Sequence, residues 1–240
     1  MNIRFYNARI LTMEEQGGQL REIFLGEIWV KDDKISYVGK GAEEQGAGMP
    51  ERPARWDREI DCKGNLLMPG FKDAHTHSGM TLLRSLADDM PLHDWLNKQI
   101  FPVEAKMTGE DIYELSRLAV LEYLTSGITA VFDMYLTPET IADAFDNMGM
   151  RCVQVAASQS ASQTQERYVR LNGKSPLQSF MLGVHAEYTS SRELLEAIAD
   201  LAHQYKAPVF THLSETRQEV EECKQRHGMT PIAFLDSLGM

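Results

Sequence analysis

The chain has 240 residues, 43% apolar and 25% charged, a balance that suits a globular protein with a sizeable core. Its formal net charge of -11 repels a phosphate backbone and argues against a nucleic-acid partner. No run approaches the roughly 18 apolar residues of a membrane span. Cys62, Cys152 and Cys223 are odd in number and form no Cys-x-x-Cys pair, so they suggest no disulfide framework. The N-terminus, MNIRFYNARILTMEEQ, lacks the basic segment and apolar core of a signal peptide, and the expectation is a soluble cytoplasmic protein.

The first third reads as short strands and turns. IRFYNARILTM is β-rich, with Asn7 as a turn residue. EIFLGEIWVKDDKISYVGK is strand, Asp-Asp-Lys turn, strand, the pattern of a hairpin. Residues 40–57, rich in Gly, Pro and charge, read as a loop, and REIDCKGNLLMPG returns to strand character around a Lys-Gly turn.

Beyond residue 70 the rhythm changes to strand and helix in alternation. TGEDIYELSRLAVLEYLTSG predicts a helix capped by Thr108 and stopped at Gly127. GITAVFDMY is a strand. PETIADAFDNMG predicts a helix with Ile141, Phe145 and Met148 on one face. CVQVAAS and SFMLGVHAEYT are strands. SRELLEAIADLAHQYK carries the stripe Leu194, Leu195, Ile198, Leu201 and Ala202 of an amphipathic helix. APVFTHLSET is a strand ending in polar residues, followed by helical TRQEVEECKQRHG and TPIAFLDSLGM. About five strand–helix repeats argue for a parallel α/β architecture. The polar residues His75, His77, Asp133, His185, His212 and Glu215 fall at C-terminal strand ends, the active face of a βα barrel. A full eight-fold barrel takes about 250 residues. Residues 71–240 are therefore either an open α/β sheet or the front part of a larger chain.

The chemistry concentrates in GFKDAHTHSGM. Side chains two apart on a strand point the same way, so His75 and His77 project together and can share one divalent metal. Asp73, in phase with them, suits a hydrogen-bond acceptor as well as a ligand. His212, at another strand end, is either a core histidine or a third nitrogen ligand; three protein ligands plus a water make a catalytic zinc-type site, in which the water loses a proton near neutral pH. Glu215, three residues on, is either a solvated loop carboxylate or a proton shuttle. His185 either contacts substrate or caps the core beside Tyr188, and His93, His203 and His227 read as structural. Residues 80–107 follow the histidine pair and suit a lid, with Trp95 and Phe101 as an apolar wall and Glu104 as a polar contact; ordinary packing and solvation is the alternative for all three.

These motifs resemble the amidohydrolase superfamily, in particular its cytosine-deaminase-like branch, which includes S-adenosylhomocysteine and methylthioadenosine deaminases, guanine deaminase and triazine chlorohydrolases. MPGFKDAHTH resembles the first-strand motif, GVHAEYT the fourth and FTHLSET the fifth; DWLNKQIFPVEAKMT looks closest to the adenosine-type deaminases. The resemblance covers essentially the whole chain and implies a TIM-type (β/α) metal-dependent hydrolase barrel, here with about five βα units. It also implies a small β-sandwich built from both chain ends, of which residues 1–67 are the N-terminal part, with residues 68–240 forming the incomplete barrel.

On this resemblance His75, His77 and His212 bind the metal, Glu215 shuttles the proton, and Glu104, His185 and Trp95 contact substrate. No lysine stands at the fourth strand end, which implies a single divalent ion, zinc or iron. Lys72 and Glu187 stand where the family commonly has an apolar residue and a proline; Arg167 and Arg170 are candidates for the arginines of adenosine-type members. The family's sixth-strand histidine and eighth-strand aspartate would lie beyond residue 240. The implied activity is hydrolysis of a carbon–nitrogen bond in a small molecule, by deamination of an aminated heteroaromatic ring. The alternatives are a chlorohydrolase or cyclic amidase on the same fold, or an inactive truncated domain. Open barrel edges favour homo-oligomer formation.

Overall fold

The computed structural model describes residues 1–41, 50–157 and 160–240. It contains two compact units, Met1–Gly70 and Phe71–Met240. Among the described residues no helix is long and apolar enough to cross a membrane.

The first unit is built around strand β1 (Asn2–Ile10), followed by a small ribbon of β2 (Glu15–Gln16) and β3 (Gln19–Leu20). Strands β4 (Phe24–Lys31) and β5 (Lys34–Gly39) form the expected antiparallel hairpin, turning at Asp32 with φ of 57°. β4 also pairs antiparallel with β1. On the other side of β1 lie β6 (Arg58–Asp61) and β7 (Leu66–Leu67), both parallel to it. Asn7 does not turn the chain. It sits within β1 at φ of 54°, where the register shifts between Phe5 and Ala8; asparagine tolerates the left-handed region, so the strand bulges instead of ending. Of the loop expected over 40–57, residues 42–49 lie outside the described residues.

The second unit runs β8 (Phe71–Thr76), a 3-10 turn (Ser78–Leu83), α1 (Leu92–Trp95), a π turn (Leu96–Ile100), α2 (Phe101–Glu104) and α3 (Gly109–Thr125). Then come β9 (Ile128–Tyr135), α4 (Pro138–Met148), β10 (Arg151–Ala156), α5 (Ala161–Asn172) and β11 (Gln178–Ala186). The unit closes with α6 (Arg192–Tyr205), β12 (Val209–His212), α7 (Arg217–His227) and α8 (Pro231–Ser237). Five strands pair in parallel and in chain order, β8-β9-β10-β11-β12. Each connection carries helix, so the chain winds one way, as in the first part of a (β/α) barrel.

Local chemistry explains most of the boundaries. Thr108 and Asp111 form a reciprocal capping box at the start of α3. Gly149 and Gly228, both left-handed, end α4 and α7. The α6 stripe is buried, with Leu194, Leu195, Ile198, Leu201 and Ala202 in one cluster with Leu182 and Val184 of β11. Gly183 is required: a Cβ there would lie 2.2 Å from the Phe210 carbonyl oxygen on β12. Helix α5 is mostly polar and carries only a thin stripe, Ala161, Thr164, Tyr168 and Leu171; Ser160 caps it, and Thr164 and Leu171 are buried.

Candidate metal centre

The C-terminal end of β8 delivers the first two histidines. Asp73 accepts the His75 backbone N–H at 3.1 Å, the structural role open to it from the sequence. Thr76 and Ser78 both pair with the Tyr123 hydroxyl, at 2.5 and 3.0 Å, which holds the strand end on either side of His77. Gly79 packs against Tyr135, whose ring would be 2.4 Å from any Cβ at that position. His77 Nδ1 lies 2.5 Å from the Met134 carbonyl oxygen. A carbonyl can only accept, so Nδ1 carries the proton and the Nε2 lone pair is free.

His212 at the end of β12 is held in the same way. Its Nδ1 donates to the His185 carbonyl oxygen at 2.8 Å, and its ring is buried. The ligand-capable atoms of His75, His77 and His212 all lie within 4.8 Å of one another. Ring centroids are 4.9 Å apart for His75–His77 and His75–His212, and 5.4 Å for His77–His212. Burial, and then the neighbouring imidazoles, hold His77 below its ordinary pKa. That favours a neutral His77 ring, the form that can bind a metal. Zinc–nitrogen bonds of about 2.0–2.1 Å set tetrahedral donors about 3.4 Å apart, so the rings would draw in around an ion. The set fits a divalent cation: nitrogen donors converging from two strands, with two of them oriented by backbone carbonyls.

A cavity of about 290 Å³ opens over the cluster. All four histidines of the strand ends line it, with Glu104 and Glu215 as its carboxylates and Trp95, Leu96, Ile100 and Phe101 as part of an apolar wall. The segment after β8 thus forms a wall of the site, to which its π turn contributes Leu96 and Ile100 and α2 contributes Phe101 and Glu104. His185 Nδ1 pairs with Thr189 Oγ1 at 3.0 Å, and burial with the nearby His212 and His77 pushes its pKa down to about 4. Burial raises the Glu104 carboxyl, and its bond to the Tyr135 hydroxyl opposes that rise. Glu215 is exposed and accepts from the Tyr188 hydroxyl at 3.4 Å. Burial and the two nearby acids push Tyr188 up to about 12.

Some expectations need correction. Asp133 does not join the cavity. It is buried in β9, where Oδ2 accepts from the Ser78 backbone at 3.1 Å and Oδ1 is without a partner among the described residues. Arg167 and Arg170 do not line the cavity either; both pair with Glu139 of α4, at 2.8 and 2.6 Å. Residues 158 and 159, in the segment after β10 where such arginines are expected, lie outside the described residues. Reading from the sequence also missed Tyr188 as a partner of Glu215, and Glu219. The spacing Thr216-x-x-Glu219 was the available signal for Glu219, since it matches a capping box.

An incomplete βα barrel with its polar residues gathered at the C-terminal strand ends is the architecture of the barrel hydrolases. The amidohydrolase family profile matches residues 66–240, and the chain belongs to that family. It is 38% identical over 252 aligned positions to the 5-methylthioadenosine/S-adenosylhomocysteine deaminase of Pelotomaculum thermopropionicum, covering all of this chain and 55% of that protein. It is 34% identical to the 5'-deoxyadenosine deaminase of Methanobrevibacter smithii, over 89% of this chain and 50% of that one. Among solved structures it resembles an adenosine deaminase from Xanthomonas campestris with bound zinc, with a TM-score of 0.83 and 30% identity, over 99% of this chain and 54% of that one. An atrazine chlorohydrolase from Arthrobacter aurescens shares the fold, with a TM-score of 0.81 at 21% identity. The chain thus spans about half the length of the relatives it matches.

Proposed function

We propose that the full-length protein is a metal-dependent hydrolase that removes the amino group from an adenosine-type ring. The observation that carries this reading is the convergence of His75, His77 and His212 within 4.8 Å beneath a cavity that Glu215 also lines. His75, His77 and His212 would hold one divalent ion, with zinc the first candidate and iron the second. A bound ion of this kind acidifies a water and stabilises developing negative charge. The bound zinc of the similar adenosine deaminase and the deaminase activities of the two relatives support the choice of ion and substrate class.

The chain's own residues supply the rest. Glu215 takes the proton from the attacking water and delivers it to a ring nitrogen, so that ammonia leaves. The Tyr188 hydroxyl makes a long bond, 3.4 Å, to one Glu215 carboxylate oxygen. Neutral His185 and Glu104 contact the substrate's polar atoms, and Trp95 packs against its flat or apolar part. The π-turn wall excludes bulk water from that side. Residues 1–67 belong to a composite β-sandwich, residues 68–240 to the barrel, and the protein works in the cytoplasm without membrane or nucleic acid.

The test is Glu215→Gln in the full-length protein. It should lose ammonia release from 5'-methylthioadenosine by about 10²-fold or more, with metal content unchanged. Wild-type turnover in that variant would refute the shuttle role. Release of chloride from chlorotriazines without ammonia from adenosines would move the protein to the chlorohydrolase reading.

A further inference from the structure

Glu215 is exposed, sits on a loop, and among the described residues its side chain receives only a long bond from Tyr188. A carboxylate held so loosely would sample several rotamers, yet proton transfer depends on placement at the scale of an ångström. The backbone beneath it is far better fixed. Ser214, the preceding residue, lies at φ of 58°, a left-handed conformation that a residue with a Cβ adopts only when its surroundings hold it there. The group that holds it is Glu219. Its Oε1 accepts the Ser214 backbone N–H at 2.8 Å and its Oε2 accepts the Glu215 backbone N–H at 2.7 Å. One carboxylate therefore grips two consecutive peptide N–H groups.

Glu219 is itself well placed to be rigid. It is 3% exposed, and its own backbone N–H donates to Thr216 Oγ1 at 3.0 Å, the N-cap bond of α7. It occupies the third position of that helix, where the partial positive charge of the N-terminus favours a carboxylate. In an ordinary capping box the acid at this position reaches back to the N-cap residue's own N–H. Here it reaches one and two residues further, to Glu215 and Ser214. A helix cap needs only the first arrangement; the longer reach fixes the segment that carries Glu215.

The geometry points to Glu219 as a positioning residue for catalysis: through the two backbone N–H bonds it sets the loop conformation that aims Glu215 into the cavity. This inference rests on the reading of Glu215 as the proton shuttle. Glu219 touches neither the reacting atoms nor the three histidines, so its loss should lower kcat while KM and metal content stay near wild type.

Two variants of the full-length protein test it. Glu219→Gln keeps the shape but turns one acceptor into a donor, so one of the two N–H groups loses its partner. Glu219→Ala removes both. We expect a graded fall in kcat, about 10-fold and about 10²-fold, with KM changed by less than about threefold. Amide hydrogen exchange at Ser214 and Glu215 should quicken in both variants, a readout independent of turnover. Because the effect runs through Glu215, adding Glu219→Gln to Glu215→Gln should cost no further residual turnover. If Glu219→Ala does not fold, Glu219→Gln carries the test alone.

Three results would overturn the inference. One is kcat within about twofold of wild type in folded Glu219 variants. Another is a loss that multiplies onto that of Glu215→Gln. The third is loss of the metal, which would mean that Glu219 acts through His212. An inactive Glu215→Gln beside unimpaired Glu219 variants sinks this inference alone. A fully active Glu215→Gln sinks the shuttle reading and this inference with it.

Discussion

A ring nitrogen becomes a metal ligand only if its lone pair is free and aimed. In this protein backbone carbonyls do the aiming: Met134 for His77 and His185 for His212. Removing the ion should therefore leave the histidines in place. We expect dialysis against a chelator to abolish ammonia release with little change in the far-ultraviolet circular dichroism, and stoichiometric zinc to restore it. Asp133 is the opposite kind of residue, a carboxyl enclosed without a counter-charge. Burial pushes its pKa up from 3.8 to about 7. The folded state thus binds this proton more tightly than the unfolded state. The stabilising contribution is fully present below the unfolded value of 3.8 and is lost as pH rises through about 7. Asp133→Asn should flatten that part of the Tm-against-pH curve. An unchanged slope would show that Asp133 is not its source.

At the scale of elements, α7 is a brace between two strand ends. Its N-terminal turn holds the β12 loop through Glu219. Its C-terminal turn holds the segment after β11, where Arg226 Nη2 and His227 Nε2 reach the Glu187 carboxylate at 2.7 and 3.1 Å. That segment also carries Tyr188 and Thr189, the partners of Glu215 and His185. Glu187, where a proline was expected from the family likeness, acquires a physical reason: it replaces a stiff residue by an ion pair that ties the turn to a helix. The carboxylate is 2% exposed, but Arg226 remains 39% exposed, so its partner can still reach water after the acid is lost. We expect Glu187→Ala to cost about 1–3 kcal/mol in chemical denaturation. Exchange should quicken across α7 and the 187–189 turn. Wild-type stability with unchanged protection would remove the brace.

At the scale of the molecule, β8 and β12 lie at the two ends of the five-stranded parallel sheet. Outer strands present unpaired backbone groups, which invite pairing with another chain. The net charge of -11 opposes that approach, and salt screens it. The 240-residue chain by itself should therefore associate in sedimentation experiments, more strongly as ionic strength rises. A monomer at every salt and protein concentration would contradict this.

The regular elements were legible in the sequence because their signals are local. The capping pair at Thr108 and Asp111, the left-handed glycines after α4 and α7, and the α6 stripe each follow from residues close together in the chain. The alternation of buried strands with helices likewise points to a parallel barrel, and side-chain alternation already places His75 and His77 together. Other features could not be read that way. Helix α5 is mostly polar, and its thin stripe gains weight only when packing buries Thr164 and Leu171. The sequence could number Asp133 among the strand-end polar residues but could not show that it turns into the core. The convergence of His212 with the first pair, the pairing of Arg167 and Arg170 with Glu139, and the grip of Glu219 on the Glu215 loop depend on how strands and helices meet in space. Local spacing determines which way a side chain leaves its own element. Which side chain it then meets is decided only when distant segments pack.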